Sequence, residues 1–146
     1  MTDEGVDYND LAMGISRIER RHKRFMNRAL AENGVTGVSY NCVIAVKRNP
    51  GVNQDRLAEI QGVDKSRVAR MVRALELAGY VKRAPSPEDR RRYMLSLTPE
   101  GEDLFEMIMD ISRNWAALIG RDIDYADIGI MTRTIHKIIQ NLNDNR

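Results

Sequence analysis

Cysteine and aromatic residues are scarce in this 146-residue chain: one Cys, one Trp, two Phe and five Tyr. A single cysteine, Cys42, excludes an internal disulfide and fits a reducing compartment. No apolar run is long enough to span a bilayer, and the opening Met-Thr-Asp-Glu-Gly-Val-Asp lacks the features of a signal peptide, so a cytoplasmic protein is expected. His22 and His136 with one cysteine do not make a metal-ligand set by spacing. There is no nucleophile–base pair and no phosphate loop, so neither an enzyme nor a bound cofactor is expected. Leu, Ile, Val and Met supply most of the apolar residues, as in helical proteins, and the length fits one domain.

What is present lies between residues 53 and 98. Ala58, Gly62 and Val68 punctuate two short helical patterns: a small residue for a close helix crossing, a glycine for a left-handed turn, and an anchor for the second helix. That second helix has Asp64 as its cap and Gly79 beyond its end. Val68, Met71, Val72 and Leu75 form its apolar stripe, while Lys65, Ser66, Arg67, Arg70 and Arg73 occupy the other side. Arginine bonds guanine O6 and N7 in pairs, and lysine and serine hold phosphates, so this polar face suits a DNA groove. A hairpin follows, with strands expected at Tyr80–Arg83 and Tyr93–Leu97. Tyr93, Leu95 and Leu97 alternate onto one face, and Pro85 and Pro87 keep the connecting loop out of regular pairing. Arg90, Arg91 and Arg92 at the loop's far side suit a narrow minor groove, with Asp89 placed to orient Arg91 through a local ion pair. The layout is that of a winged helix-turn-helix.

The stretch from Leu57 to Gly101 resembles the MarR family of bacterial transcriptional regulators. The residues that carry the resemblance are Asp64-Lys65-Ser66-Arg67-Val68-Ala69-Arg70, Leu75-Glu76-Leu77-Ala78-Gly79-Tyr80-Val81-Lys82-Arg83, Asp89-Arg90-Arg91, and the closing Leu97-Thr98-Pro99-Glu100-Gly101. The resemblance implies a mainly α fold with a small β-hairpin wing. Residues 36–98 would form the DNA-binding lobe, and residues 8–32 and 99–143 the helical dimerisation lobe. It further implies a homodimer, probing double-stranded DNA at a palindromic operator.

Charge patterning agrees. The net charge of +2 hides a segment from Lys65 to Arg92 with nine basic and three acidic residues, balanced by acids after Thr98. The terminal segments are helical and too apolar for a wing domain to cover alone. Leu11, Ile15, Ile18, Phe25, Met26 and Leu30 line the first helix, and Leu104, Met107, Ile108, Ile111, Trp115 and Leu118 line a helix opening at Thr98-Pro99. In a last helix from Tyr125 to Asn143, Ile128, Met131, Ile135, Ile138 and Leu142 recur at the spacing of a pairing seam. A second copy would bury these faces and supply the second reading head of a dimer.

A further helix is expected over residues 36–48, starting near Thr36. The family resemblance implies a small-molecule cleft where it meets the first helix, with His22, Phe25, Tyr40 and Val43 as candidates and Arg21 and Arg24 nearby. The ligands so implied are aromatic acids or acyl-coenzyme A thioesters. Arg17, Arg20, Arg21, Arg24 and Arg28 fall on one flank of the first helix, where like charges repel and call for a partner. Acids such as Asp103, Glu106 and Asp110, DNA phosphates, or an anionic effector would each serve. Two rival functions remain open: an architectural or partner-recruiting DNA binder without an effector, and a redox sensor acting through Cys42.

Overall fold

The computed structural model describes residue 5, residues 7–35 and residues 39–144. The chain divides into two compact units, residues 1–112 and 113–146.

The first unit opens with α1 (Tyr8–Leu30), capped by the Asp7 carboxylate accepting the Asn9 N–H at 2.8 Å, and ends in a 3-10 turn over Ala31–Asn33. The next helix, α2 (Ser39–Arg48), is short and apolar, with Tyr40, Cys42, Val43, Ala45 and Val46 all buried. The expected start near Thr36 lies outside the described residues. Next come α3 (Gln54–Gln61), α4 (Lys65–Leu77), and the antiparallel strands β1 (Val81–Pro85) and β2 (Tyr93–Leu97), and then α5 (Pro99–Ile119). Met26 and Leu30 of α1, the α2 set, Leu57 and Ala58, the α4 stripe, Val81, Leu95, Leu97, Leu104 and Ile108 make one core. Each fully buried aliphatic side chain contributes about 1.5–3 kcal/mol, which is what holds these seven elements together.

The hairpin register corrects two expectations. Its first strand runs from Val81 to Pro85 rather than from Tyr80 to Arg83, and Pro85 pairs with Tyr93 inside the ladder. The Ser86 N–H donates to the Arg92 carbonyl at 2.8 Å, so the Pro85–Tyr93 pair is a non-hydrogen-bonded one. A proline's missing donor points off the ladder there and costs nothing. Tyr93, Leu95 and Leu97 do share a face, but Tyr93 stays 49% exposed at the open end while Leu95 and Leu97 are buried. A backbone bond from the Leu95 N–H to the Val52 carbonyl, 2.8 Å, ties the free edge of β2 to the segment before α3.

α5 starts where expected. The Thr98 hydroxyl accepts the Gly101 N–H at 3.0 Å, and Pro99 occupies the first turn, where its missing N–H has no intrahelical partner to lose.

The second unit contains the end of α5 and α6 (Tyr125–Asp144), joined by a turn in which Asp122 takes a left-handed φ of 60°. Asp tolerates that region better than most side chains. No residue of α6 is buried. No helix among the described residues is long and apolar enough to cross a membrane.

Candidate nucleic-acid interface

The reading head is built from the turn between α3 and α4. Asn53 caps α3 by accepting the Arg56 N–H at 2.8 Å. Gly62 ends α3 with φ 63°, and the Val63 N–H reaches back to the Ala58 carbonyl at 3.2 Å. A left-handed residue at this point reverses the chain within three residues, which a β-carbon would strain. Asp64 then caps α4, accepting the Arg67 N–H at 2.8 Å and the Ser66 hydroxyl. The Ser66 bond and then the Arg67 bond hold the Asp64 carboxyl below its ordinary value.

Val68, Met71, Val72 and Leu75 are buried on one side of α4, and Lys65, Ser66, Arg67, Arg70 and Arg73 are all exposed on the other. Ser66, Arg70 and Arg73 stand in line at i, i+4 and i+7, about 10 Å along the axis, with Arg67 beside them. That row matches the width of a major groove, about 12 Å. Two of the five are engaged locally: Lys65 Nζ lies 3.0 Å from Asp55, and Ser66 donates to Asp64. Arg67, Arg70 and Arg73 make no salt bridge among the described residues.

In the wing, Asp89 does not pair with the Arg91 guanidinium as expected. Its carboxylate accepts the Arg91 backbone N–H at 3.0 Å, and its ion pair, at 3.7 Å, is with Arg92. The guanidinium of Arg91 is left exposed, as is Arg90.

The basic count also misses a pairing. Arg83 on β1 donates from Nε and Nη2 to the two carboxylate oxygens of Glu76 on α4, at 2.7 and 2.8 Å. These bonds raise the Arg83 guanidinium above its ordinary value. Arg83 is thereby tied to the protein itself. The sequence carried no signal for this, since a helix end and a strand meet across a turn whose angle periodicity does not give.

The effector candidates divide. Tyr40 and Val43 are core residues, at 7% and 0% exposure, and His22 meets the Tyr40 ring edge-on at 6.3 Å. Partial burial lowers the pKa of His22, and burial raises that of Tyr40. Phe25 packs against the core, while Arg21 and Arg24 are exposed. Three cavities in the first unit lie elsewhere. A 480 Å³ hollow sits between Pro50–Asn53 and the wing, one of 360 Å³ lies between α2 and α3, and one of 200 Å³ flanks Gln54 and Arg91. None is lined by the six candidates.

Arg17, Arg20, Arg21, Arg24 and Arg28 are all exposed and make no salt bridge among the described residues, so the acids Asp103 and Glu106 do not neutralise them within one chain. Cys42 is fully buried and its thiol is pushed up to about 12 by desolvation. Redox sensing needs an accessible thiolate, and this cysteine offers neither access nor charge. Among the described residues no group of His, Cys, Asp and Glu could hold a metal.

The family model described as MarR family matches residues 33–92, from the end of α1 to the wing. A solved structure described as MarR superposes with a TM-score of 0.83 at 30% identity, covering all of this chain and 97% of that one.

The chain belongs to the MarR family.

It is a transcriptional regulator with a DNA-binding fold, not an enzyme. A Thauera aromatica protein named as regulatory for its hcr operon is 33% identical over 104 residues, 71% of this chain. The matched stretch spans 59% of that protein, less than two thirds of its length. A MarR-family structure from Listeria monocytogenes in complex with a 26-mer DNA has a TM-score of 0.83 at 20% identity, covering 92% of this chain and 89% of that one, which shows the shared fold.

Proposed function

We propose that this MarR-family regulator is a homodimeric, sequence-specific repressor that reads a palindromic operator and leaves it when a small anionic or aromatic effector binds. The observation that carries the DNA reading is the row of exposed, unbridged Arg67, Arg70 and Arg73 on a helix whose other face is locked in the core. Such a helix presents its cations without rearrangement, and Arg90 and Arg91 extend the contact toward an adjacent minor groove. Phosphate neutralisation alone would give binding without sequence preference, and paired arginine–guanine bonds supply the discrimination.

Dimerisation is supported by the terminal helices, each considered by itself. Leu11, Ile15 and Ile18 of α1 are 46–52% exposed, and Ile128, Met131, Ile135 and Leu142 of α6 are 36–65% exposed. A helical unit of residues 113–146 is below the size that a hydrophobic core stabilises alone, so its apolar face calls for a partner. Effector release rests on the family resemblance; the His22–Tyr40 contact between α1 and α2 is packed, so a ligand entering there would have to displace it.

The test is fluorescence-anisotropy binding to the DNA upstream of the protein's own gene, against a scrambled duplex, across a salt series. A large preference for the native duplex is expected, with aromatic acids and their coenzyme A thioesters then screened for release. Equal, salt-sensitive binding to both duplexes would overturn the specific-repressor reading in favour of an architectural DNA binder.

A further inference from the structure

The wing is anchored unevenly. Its inner side is fixed by the core through Val81, Leu95 and Leu97, and its base by the Thr98 N–H donating to the Tyr80 carbonyl at 3.0 Å. Its junction with α4 is a tight turn in which Gly79 takes φ 83° and the Tyr80 N–H returns to the Leu75 carbonyl at 2.9 Å. Beyond these, a side-chain strut crosses from α4 to β1. Arg83 faces Leu95 across the ladder, so its stem lies on the inner face while its guanidinium extends to Glu76.

Isolated surface ion pairs contribute little, and most such pairs need no functional account. This one differs in two respects. It is a two-bond fork, which fixes direction as well as distance. It is also the least exposed of the ion pairs among the described residues, with side chains at 35% and 26%. The elements it joins carry the two groups of candidate DNA contacts, Arg67 to Arg73 on α4 and Arg90 to Arg92 on the wing.

We propose that Glu76 is a positioning residue for DNA recognition: through its fork to Arg83 it sets the angle of the wing against the recognition helix and keeps Arg83 from acting as a free cation at the wing base. The inference rests on the specific-regulator reading above. Two consequences separate it from a merely structural ion pair. Without Glu76 the wing arginines lose their register on the operator, so specific binding weakens. At the same time a guanidinium is released beside the phosphates, so binding to arbitrary sequence does not weaken and becomes more salt-dependent.

The experiment begins by selecting a binding site from a random duplex pool with the wild-type protein, then compares wild type, Glu76→Gln and the exchanged pair Glu76→Arg/Arg83→Glu. For Glu76→Gln, affinity for the selected site should fall about five-fold or more. Affinity for random duplex should hold or rise, and the slope of log affinity against log salt should steepen by up to about 0.9. Hydroxyl-radical protection should fade in the minor groove flanking the site and persist over the major-groove contacts. The exchanged pair should restore that protection. Wild-type preference, slope and footprint in Glu76→Gln would overturn the inference, as would equal loss on both duplexes with a lowered melting temperature. A wild-type protein that enriches no site at all would instead remove the specific-regulator reading, and this inference with it.

Discussion

Gly101, in the first turn of α5, lies so close under the Tyr80 carbonyl at the foot of the wing that a β-carbon built on it would overlap that oxygen and stand 3.2 Å from Leu97 Cβ. The obstructing atoms are backbone, so no side-chain rotation relieves the clash. Gly101→Ala should therefore destabilise the protein by about 1–3 kcal/mol or more, through displacement of α5 from the hairpin. Gly14, in α1, has nothing within 4 Å of the corresponding position. Gly14→Ala should stabilise by about 0.5–1 kcal/mol through backbone entropy alone. Urea denaturation of the two variants at neutral pH checks both signs; a neutral Gly101→Ala would mean that the close approach is not maintained.

Asp64 gives the reading head a pH dependence. Its folded-state carboxyl is held below the ordinary value by the Ser66 hydroxyl and the Arg67 N–H. The cap's contribution is therefore complete above the ordinary carboxylate range and is lost as pH falls through the depressed folded-state value. Wild type should lose stability in acid, and Asp64→Asn, which still caps but does not titrate, should lose less over the same interval. Parallel curves from denaturation at a series of pH values would remove Asp64 from the acid response.

The reading head was largely legible in the sequence because its signals are local. Asp64 and Gly62 act within three residues, and the period of Val68, Met71, Val72 and Leu75 needs only a helix. The long-range contacts were not legible. Glu76 and Arg83 meet across a helix–strand corner, and Lys47 of α2 reaches Glu102 of α5 at 2.6 Å and lies 5.8 Å from the Phe105 ring centroid, 55 positions away from Glu102 in the chain. Counting Lys65 and Arg83 as free cations overstated the DNA-facing charge, since Asp55 and Glu76 engage them. Pro85 was legible as a loop residue and found in the ladder because strand pairing alternates between bonded and unbonded positions, which composition does not reveal.

Helix and wing should separate by specificity. Arg70 projects from the middle of the exposed row on α4, and Arg91 from a loop whose backbone Asp89 fixes. Arg70→Ala should weaken operator binding by about 1–3 kcal/mol and relax preference at one base position. Arg91→Ala should weaken all duplexes alike and make the salt slope shallower by about 0.9. Binding to a panel of single-base operator variants distinguishes these outcomes, and the opposite assignment would exchange the roles given to helix and wing.

Cys42 should be silent. With no exposed surface and a thiol pushed up to about 12, it lacks both access and thiolate at neutral pH. Labelling by a disulfide reagent at pH 8 should follow the rate of unfolding rather than reagent concentration, and peroxide at moderate dose should leave DNA binding unchanged. Rapid labelling of the native protein, followed by loss of DNA binding, would restore the redox reading.

The last helix provides the sharpest test of assembly. Ile135 sits in the middle of the α6 row and is 50% exposed, so in a single chain a lysine there can carry its charge into water and should leave the fold of residues 1–112 intact. In a homodimer paired along this row, the same lysine would place a charge in an apolar seam without a counter-ion, and burying it there is unfavourable by several kcal/mol. Ile135→Lys should therefore convert the protein to a monomer at micromolar concentration in sedimentation equilibrium. It should also lose affinity for a two-half-site operator far more than for a single half-site, because linked binding of two heads multiplies affinity without new contacts. A dimer that survives the substitution would place the seam on another face, with Leu11, Ile15 and Ile18 of α1 as the next positions to charge.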